Sequence, residues 1–414
     1  MKLSKYAIVY PNDEKTSLVY SSLSNAIVKI DKQDLSMEEP MELSRRDVTF
    51  LTKMKIIEQD DDQANMIKML HDRKFSDGHL SIWLYITLGC NLKCDYCYEK
   101  HIYKKNNSRL NMSFENIKQF VIWCQEYVTA NAITKLSLTL TGGEPTTYIP
   151  GLNYLIRLLK DENLFKICNF TMITNGYVLD EDAMLFIINY IDVIQITLDG
   201  PEWMHDSRRI SVDNQPTFKS ILRNIIRVKA RKNLQLIIRI NVDSRNMDHI
   251  EELFTVIDKY KLKQEVVLNL GDILDEKQTD SQVLNKILEI YDHCKQDGYN
   301  VAICETTPCP ISNSGWFAIT PDGNLFKCTG MIGSPQYAVG NIASSDWNDE
   351  YYRQMNLDAW KDCLDCAVVG ICAGGCSYRN YISGNNTAKN CRIKYLLEVL
   401  KRQVTESVYQ EDNQ

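Results

Sequence analysis

No stretch of the 414-residue chain offers the roughly 18–20 consecutive apolar residues that a membrane-spanning helix needs. No apolar core follows Met1-Lys2-Leu3-Ser4-Lys5-Tyr6 either, because Pro11, Asn12, Asp13 and Glu14 interrupt it. The expected setting is therefore the cytoplasm, with no membrane partner. An excess of basic charge is also missing: 47 Lys+Arg face 54 Asp+Glu, for a net charge of −7. With no basic stripe, a nucleic-acid partner is not expected. Low-complexity tracts are absent, and 44% hydrophobic with 24% charged residues is ordinary for a globular protein. Cysteine is absent from the first 89 residues, yet the chain holds 14 of them. In a reducing compartment such an excess points to metal binding or catalysis rather than disulfides.

The cysteine-free segment, about 1–80, reads as strands at Tyr6–Tyr10, Ser17–Tyr20 and Ala26–Ile30, with a helix from Asp60 to His71. That composition suits a small winged-helix-like module; a β-hairpin extension of the main domain is the alternative. From residue 82 onward, strand and helix patterns alternate. Strands are expected at Ile82–Leu88, Leu136–Leu140, Phe170–Thr174, Val193–Leu198, Leu236–Val242 and Val266–Leu270, each followed by a helix. Ser113 can cap the first of these helices. Six β–α units in series imply α/β architecture with a parallel sheet, curled into a partial barrel or left open. In such barrels the site gathers at the C-terminal ends of the strands.

The first cysteine cluster follows the first of these strands directly. Cys90, Cys94 and Cys97 stand in the spacing C-x3-C-x2-C, in the loop Gly89-Cys90-Asn91-Leu92-Lys93-Cys94-Asp95-Tyr96-Cys97-Tyr98. Three thiolates can hold three irons of a [4Fe–4S] cube and leave the fourth iron open, as a catalytic metal site does. A zinc site completed by His101 is the alternative. Further strand ends carry Thr141-Gly142-Gly143-Glu144-Pro145, Thr174-Asn175-Gly176 and Thr197-Leu198-Asp199-Gly200-Pro201, with Arg208-Arg209 a little beyond. Paired glycines admit close approach to a ligand, and a carboxylate can accept from an ammonium group. An arginine can hold a carboxylate bidentately. Amine, hydroxyl and carboxylate partners around an open iron suit an amino-acid nucleoside.

These motifs resemble those of radical S-adenosylmethionine (SAM) enzymes. The three-cysteine loop is similar to that superfamily's signature, and Gly142-Gly143-Glu144-Pro145 resembles its SAM-ammonium motif. The resemblance implies that Cys90, Cys94 and Cys97 bind the cluster. It implies that Tyr96, Gly142, Gly143, Glu144, Thr174, Asn175, Thr197, Asp199 and Arg209 surround SAM. One electron would cleave SAM to a 5′-deoxyadenosyl radical, which abstracts a substrate hydrogen. His205-Asp206 also matches, with local loop hydrogen bonding as its plain alternative.

The second cysteine set runs Cys309, Cys328, Cys363, Cys366, Cys372, Cys376 and Cys391, with Cys304 before it. Its order and spacing resemble the SPASM domain of peptide-modifying radical SAM enzymes; a zinc ribbon is the alternative. Pro321-Asp322-Gly323-Asn324 reads as a hairpin turn. Eight thiolates fill two [4Fe–4S] clusters. The family pattern gives Cys304, Cys309, Cys328 and Cys376 to the first auxiliary cluster, and Cys363, Cys366, Cys372 and Cys391 to the second. Cys124, Cys168 and Cys294 are left as small buried hydrophobes.

The resemblance therefore implies a partial (β/α)6 TIM-like radical SAM barrel over 81–300 and a two-cluster SPASM domain over 301–395. A winged-helix-like leader-peptide recognition element occupies 1–80, and a helix with a polar tail fills 396–414. Three [4Fe–4S] clusters and SAM are the implied cofactors. A ribosomally made precursor peptide, crosslinked or otherwise oxidised, is the implied substrate, and flavodoxin or ferredoxin the implied reductant. An anaerobic sulfatase-maturating enzyme is one alternative, but Thr329 stands where that group carries a catalytic Asp, and some 80 residues precede the cysteine loop. A SPASM enzyme acting on a small molecule and a non-enzymatic electron carrier complete the alternatives. The catalytic residues are not legible.

Overall fold

The computed structural model describes residues 2–35, 43–75, 77–99, 111–231, 233–273, 281–303, 309–344, 346–378 and 391–411, with side chains to 408. Cys304 lies outside them. The chain packs into two units: residues 1–75, 305–312 and 357–414 form one, and residues 76–304 with 313–356 form the other.

The first unit opens with an antiparallel meander, β1 (Ala7–Pro11), β2 (Thr16–Ser21) and β3 (Ile27–Asp31). Asp13 turns the first hairpin by accepting from the backbone N–H groups of Lys15 and Thr16 at 2.8 and 2.7 Å. Two helices follow, α1 (Arg45–Lys53) and α2 (Asp62–Asp72). The sequence pattern did not reveal α1, whose only buried residue is Leu51; the Ser44 hydroxyl caps it by accepting from Asp47 N–H at 3.2 Å.

The second unit is built on a ten-stranded sheet. In chain order its elements are β4 (His79–Thr87), α3 (Phe114–Ala130), β5 (Lys135–Gly142), α4 (Ile149–Asp161), β6 (Cys168–Thr174) and α5 (Glu181–Tyr190). Then come β7 (Val193–Thr197), α6 (Glu202–Arg208), α7 (Phe218–Lys229), β8 (Gln235–Val242), α8 (Glu252–Lys259), β9 (Val267–Asp272) and α9 (Ser281–Gln296). Strands β10 (Val301–Ile303), β11 (Trp316–Ile319), β12 (Asn324–Phe326) and β13 (Gly340–Asn341) complete the sheet, and α10 (Asp349–Met355) follows. Strands β4 to β9 lie side by side in chain order and pair in parallel. Because the order never reverses, right-handed crossovers put every connecting helix on the same face. The side chains facing the helices are apolar and fully buried: Leu138, Met172, Ile194, Ile238 and Leu268 are 0% exposed. The opposite face carries Thr139, Thr171, Gln195, Arg239 and Asn269.

Residues 313–356 belong to the second unit. Strand β11 pairs in parallel with β4 and extends the barrel sheet, and β12 returns antiparallel to it through the expected Pro321–Asn324 turn. Residues 1–75 belong to the first unit. They share a core with α11 (Val369–Cys372) and α12 (Ile393–Glu411): Ile8, Tyr10, Leu18 and Tyr20 pack with Val368, Ile371, Leu400 and Val404. Tyr6, Met66 and Leu70 pack with Trp360 and Val369.

Candidate functional site

The three-cysteine loop leaves the C-terminal end of β4. A β-bridge between Leu92 and Ser211 straps it to the segment after α6, helped by Lys93 N–H donating to Ile210 O at 2.9 Å and Asp95 N–H to Arg208 O at 3.1 Å. Cys94 is buried, while Cys90 and Cys97 are half-buried. Burial pushes the Cys90 thiol up to about 12 and the Cys97 thiol to about 11. Iron would reverse this, since a coordinating thiol is deprotonated outright. Among the described residues, no three His, Cys, Asp or Glu side chains converge on a point where one metal ion could be held. Three thiols on one loop suit the separate irons of a cube instead, so the donor set fits a [4Fe–4S] cluster.

Gly142 and Gly143 stand against this loop. A methyl group at Gly143 would lie 2.2 Å from Gly89 O, and one at Gly142 2.0 Å from Thr87 O. Gly143 N–H donates to Thr87 O at 3.0 Å, and Glu144 N–H to Gly89 O at 2.8 Å. The paired glycines thus join the exit of β5 to the root of the cysteine loop. Glu144 is fully buried. One of its carboxylate oxygens accepts from Thr146 N–H (3.1 Å), Thr146 Oγ1 (2.7 Å) and Thr174 Oγ1 (2.7 Å), the other from Asn175 N–H at 2.6 Å. Glu144 ties the ends of β5 and β6 together, and through it Asn175 is fixed with its Nδ2 donating to Asn91 at 2.8 Å and lying 3.7 Å from Cys90 Sγ.

A polar cluster caps β7 and β8. The Tyr96 hydroxyl donates to Asp199 and accepts from Arg209 and from Asn241 Nδ2, the last at 3.3 Å. Asp199 is fully buried, 3.8 Å from Arg209 Nη1, and accepts from Asn241 N–H at 3.0 Å. Arg208 lies over the Tyr96 ring and forks onto Asp243 with two 3.1 Å bonds. Arg245 joins Asp243 to Asp95 in the cysteine loop. Thr197 is buried at the end of β7. Arg209 Nε is buried without a hydrogen-bond partner, a donor left over for a ligand.

The His205-Asp206 pair is structural. Asp206 accepts from Thr217 and Phe218 N–H, both at 2.8 Å, and so caps α7. His205 accepts from Asp199 N–H at Nδ1 (3.3 Å) and lies 3.2 Å from Thr217 Oγ1 at Nε2. Thr217 Oγ1 gives its own proton to Arg209 O at 2.6 Å, so it accepts from Nε2–H and the ring is neutral. Burial, with the charges of Arg209 and Arg208, holds this imidazole well below its ordinary value. The unfolded chain therefore takes up a proton near pH 6.5 that the native chain refuses. The resulting stability is present above that pH and is lost progressively as pH falls toward the folded value. Anaerobic urea unfolding should show wild type losing more stability than His205→Gln between about pH 7 and 5; equal losses would contradict this wiring.

Of the later cysteines, Cys391, Cys363 and Cys366 lie close enough to Cys372 for their charges to oppose its ionisation, after burial the main cause of its raised value. Cys309 and Cys376 stand in the same relation. Ala373, Gly374 and Gly375 all have left-handed φ (49°, 91° and 85°), which turns the chain between Cys372 and Cys376. Cys328 lies in the second unit, where its charge reaches Tyr85. Cys124 and Cys294 are fully buried, and Cys168 Sγ donates to Leu164 O at 3.3 Å.

The sequence profile of the Radical SAM superfamily matches residues 84–257, which contain the cysteine loop and the strand ends just described. The chain carries a radical SAM domain. It is an enzyme of that superfamily, whose fold implies SAM and a [4Fe–4S] cluster. A cysteine-type anaerobic sulfatase-maturating enzyme of Clostridium novyi (strain NT) is 25% identical over 72% of this chain and 88% of its own. The structure of native anSMEcpe with bound AdoMet and Cp18Cys peptide superposes with a TM-score of 0.62 at 18% identity, over 80% of this chain and 99% of that one. Streptococcus suis SuiB bound to precursor peptide SuiA superposes at 0.58 and 14% identity, over 95% of this chain and 99% of that one.

Sequence reasoning missed Arg239, Asn241, Asp243 and Asn246 around the radical SAM site. A signal existed. Parallel strands buried on both faces read as near-continuous apolar runs. The sequence Ile237-Ile238-Arg239-Ile240-Asn241-Val242 breaks that run at alternate positions.

Proposed function

We propose that this radical SAM enzyme is a maturase that oxidises a ribosomally made precursor peptide, forming a thioether or carbon–carbon crosslink or another oxidised residue. The observation that carries the reading is the likeness to SuiB bound to its precursor peptide, over 95% of this chain. The anSMEcpe likeness leaves a fifth of the chain outside.

In this reading Cys90, Cys94 and Cys97 hold the SAM-binding cluster. Cys309, Cys328 and Cys376, with Cys304, hold the first auxiliary cluster, and Cys363, Cys366, Cys372 and Cys391 the second. When bound, the SAM-binding cluster and SAM supply a 5′-deoxyadenosyl radical that takes one substrate hydrogen. Arg209 offers its unpartnered Nε, Thr197 its hydroxyl, and Gly142 and Gly143 their backbone to SAM. Glu144 positions Asn175 and Thr174, while Tyr96 and Asp199 orient Arg209. A flavodoxin- or ferredoxin-type protein supplies the reducing electron. Crosslinking would remove a second electron and a proton from the peptide; an auxiliary cluster held by Cys309, Cys328 and Cys376 with Cys304, or by Cys363, Cys366, Cys372 and Cys391, would supply the electron acceptor, and solvent would take the proton. The winged-helix-like 1–80 segment binds the leader through a sheet edge.

The Clostridium novyi relative favours one other reading, oxidation of a Cys or Ser to formylglycine, while Thr329 after Cys328 speaks against it. Incubating the reconstituted enzyme, SAM and dithionite with short peptides encoded beside its gene, then treating the products with a hydrazide, separates the two, since oxidation of Ser to formylglycine also removes two hydrogens. Loss of two hydrogens with no hydrazide adduct supports crosslinking; a hydrazide-reactive aldehyde at a Cys or Ser position sinks it.

A further inference from the structure

Four arginines stand at or near the strand ends of the radical SAM unit, and their partners differ in charge: Arg245 pairs with Asp95 and Asp243. Arg208 faces the Asp243 carboxylate and Arg209 the Asp199 carboxylate. Arg239, on the helix-free face of β8, faces only amides: its Nε donates to Asn241 Oδ1 at 3.0 Å and its Nη1 to Asn269 Oδ1 at 2.5 Å. No ion pair to Arg239 exists among the described residues. Room for the guanidinium is made by Gly271, where a methyl group would lie 2.3 Å from Arg239 Nη2. The side chain is half-buried, so water alone does not solvate it fully. Asn241 also bonds the Tyr96 hydroxyl, which places Arg239 one residue away from the cluster loop's own network.

A half-buried cation held in place by neutral oxygens, packed against the bare Cα of a glycine, carries an uncancelled charge. We infer that Arg239 is an anion-binding residue of this site and receives a carboxylate. Planar guanidinium with Nη2 uncommitted suits a carboxylate geometrically. The carboxylate comes either from the peptide substrate, as an acidic side chain beside the modified residue, or from SAM. The inference rests on the maturase reading for the first source and on the radical SAM domain alone for the second.

Equilibrium binding to the reconstituted holoenzyme distinguishes them. Acetyl-Ala-Glu-Ala-amide and acetyl-Ala-Gln-Ala-amide are one pair of probes; SAM and decarboxylated SAM are the other. Arg239→Gln should reduce the preference for the carboxylate-bearing member of one pair by about tenfold, the usual scale of a lost charged hydrogen bond. Loss in the peptide pair assigns the site to substrate, and loss in the SAM pair assigns it to SAM. Asn269→Asp, which cancels the charge from within and keeps the shape, should reproduce the loss, and Arg239→Lys should restore part of it. Unchanged preference in both pairs, with both variants folded, overturns the inference. Uncoupled release of 5′-deoxyadenosine, measured in parallel, reports separately on the radical SAM reading.

Discussion

Cys94→Ala should abolish the release of 5′-deoxyadenosine from SAM by the reconstituted, dithionite-reduced enzyme. Cys94 is the buried member of the three-cysteine loop, and the loop has no neighbouring thiol to replace it. With two thiolates left, a cube would have two irons without protein ligands instead of one. The single open iron that distinguishes a catalytic metal site from a closed one is then no longer defined. The variant should still fold, because the loop is held by the Leu92–Ser211 bridge and by the Tyr96–Asp199–Arg209 bonds, none of which uses Cys94 Sγ. Unchanged release would remove the radical SAM mechanism from this chain, whatever its fold.

The second large effect is expected from deleting residues 1–75. A free leader-binding module could be removed with loss of peptide affinity alone. The structure predicts more. Tyr6, Met66 and Leu70 are buried against Trp360 and Val369, and Leu18 and Tyr20 against Ile371 and Leu400. Each such side chain contributes about 1.5–3 kcal/mol of burial. Polar contacts run the same way: Tyr6 Oη donates to Leu364 O at 2.7 Å, Ser22 Oγ to Ala367 O at 2.5 Å, and Lys74 pairs with Asp358 at 2.6 Å in a nearly buried bridge. Gly370 has no side chain because Ser22 O lies where one would be, 2.1 Å from a methyl carbon. The deletion therefore strips the support from the loop that carries Cys363, Cys366 and Cys372. Iron should fall from about twelve per chain toward about eight if that loop holds one of three cubes. Residual 5′-deoxyadenosine release should persist, since the three-cysteine loop sits in the other unit. Full iron with weakened peptide binding would restore the simpler picture of a detachable module.

The barrel was legible because local signals agreed with the tertiary outcome. All six strands of the β–α series fall where the apolar runs placed them, and Ser113 caps α3 as expected, accepting from Asn116 N–H at 3.1 Å. The cysteine loop was legible because ligand spacing is a property of contiguous chain. Helix α1 was not, because a single buried residue leaves no apolar period to read. Nor was the placement of β11 beside β4, a pairing set across more than two hundred residues.

The sequence by itself determined the chemistry: three thiols in one loop, glycines and carboxylates at successive strand ends, and a parallel series to carry them. Tertiary structure alone decided what each polar group is for. Glu144 and His205 look available in one dimension, but burial forces each to satisfy its hydrogen bonds within the fold, so they became joints. Arg239 looks like any exposed cation in the sequence and is left without a carboxylate by the geometry of β8 and β9. Which donors are already spent depends on contacts between residues far apart in the chain, and spacing carries no record of those.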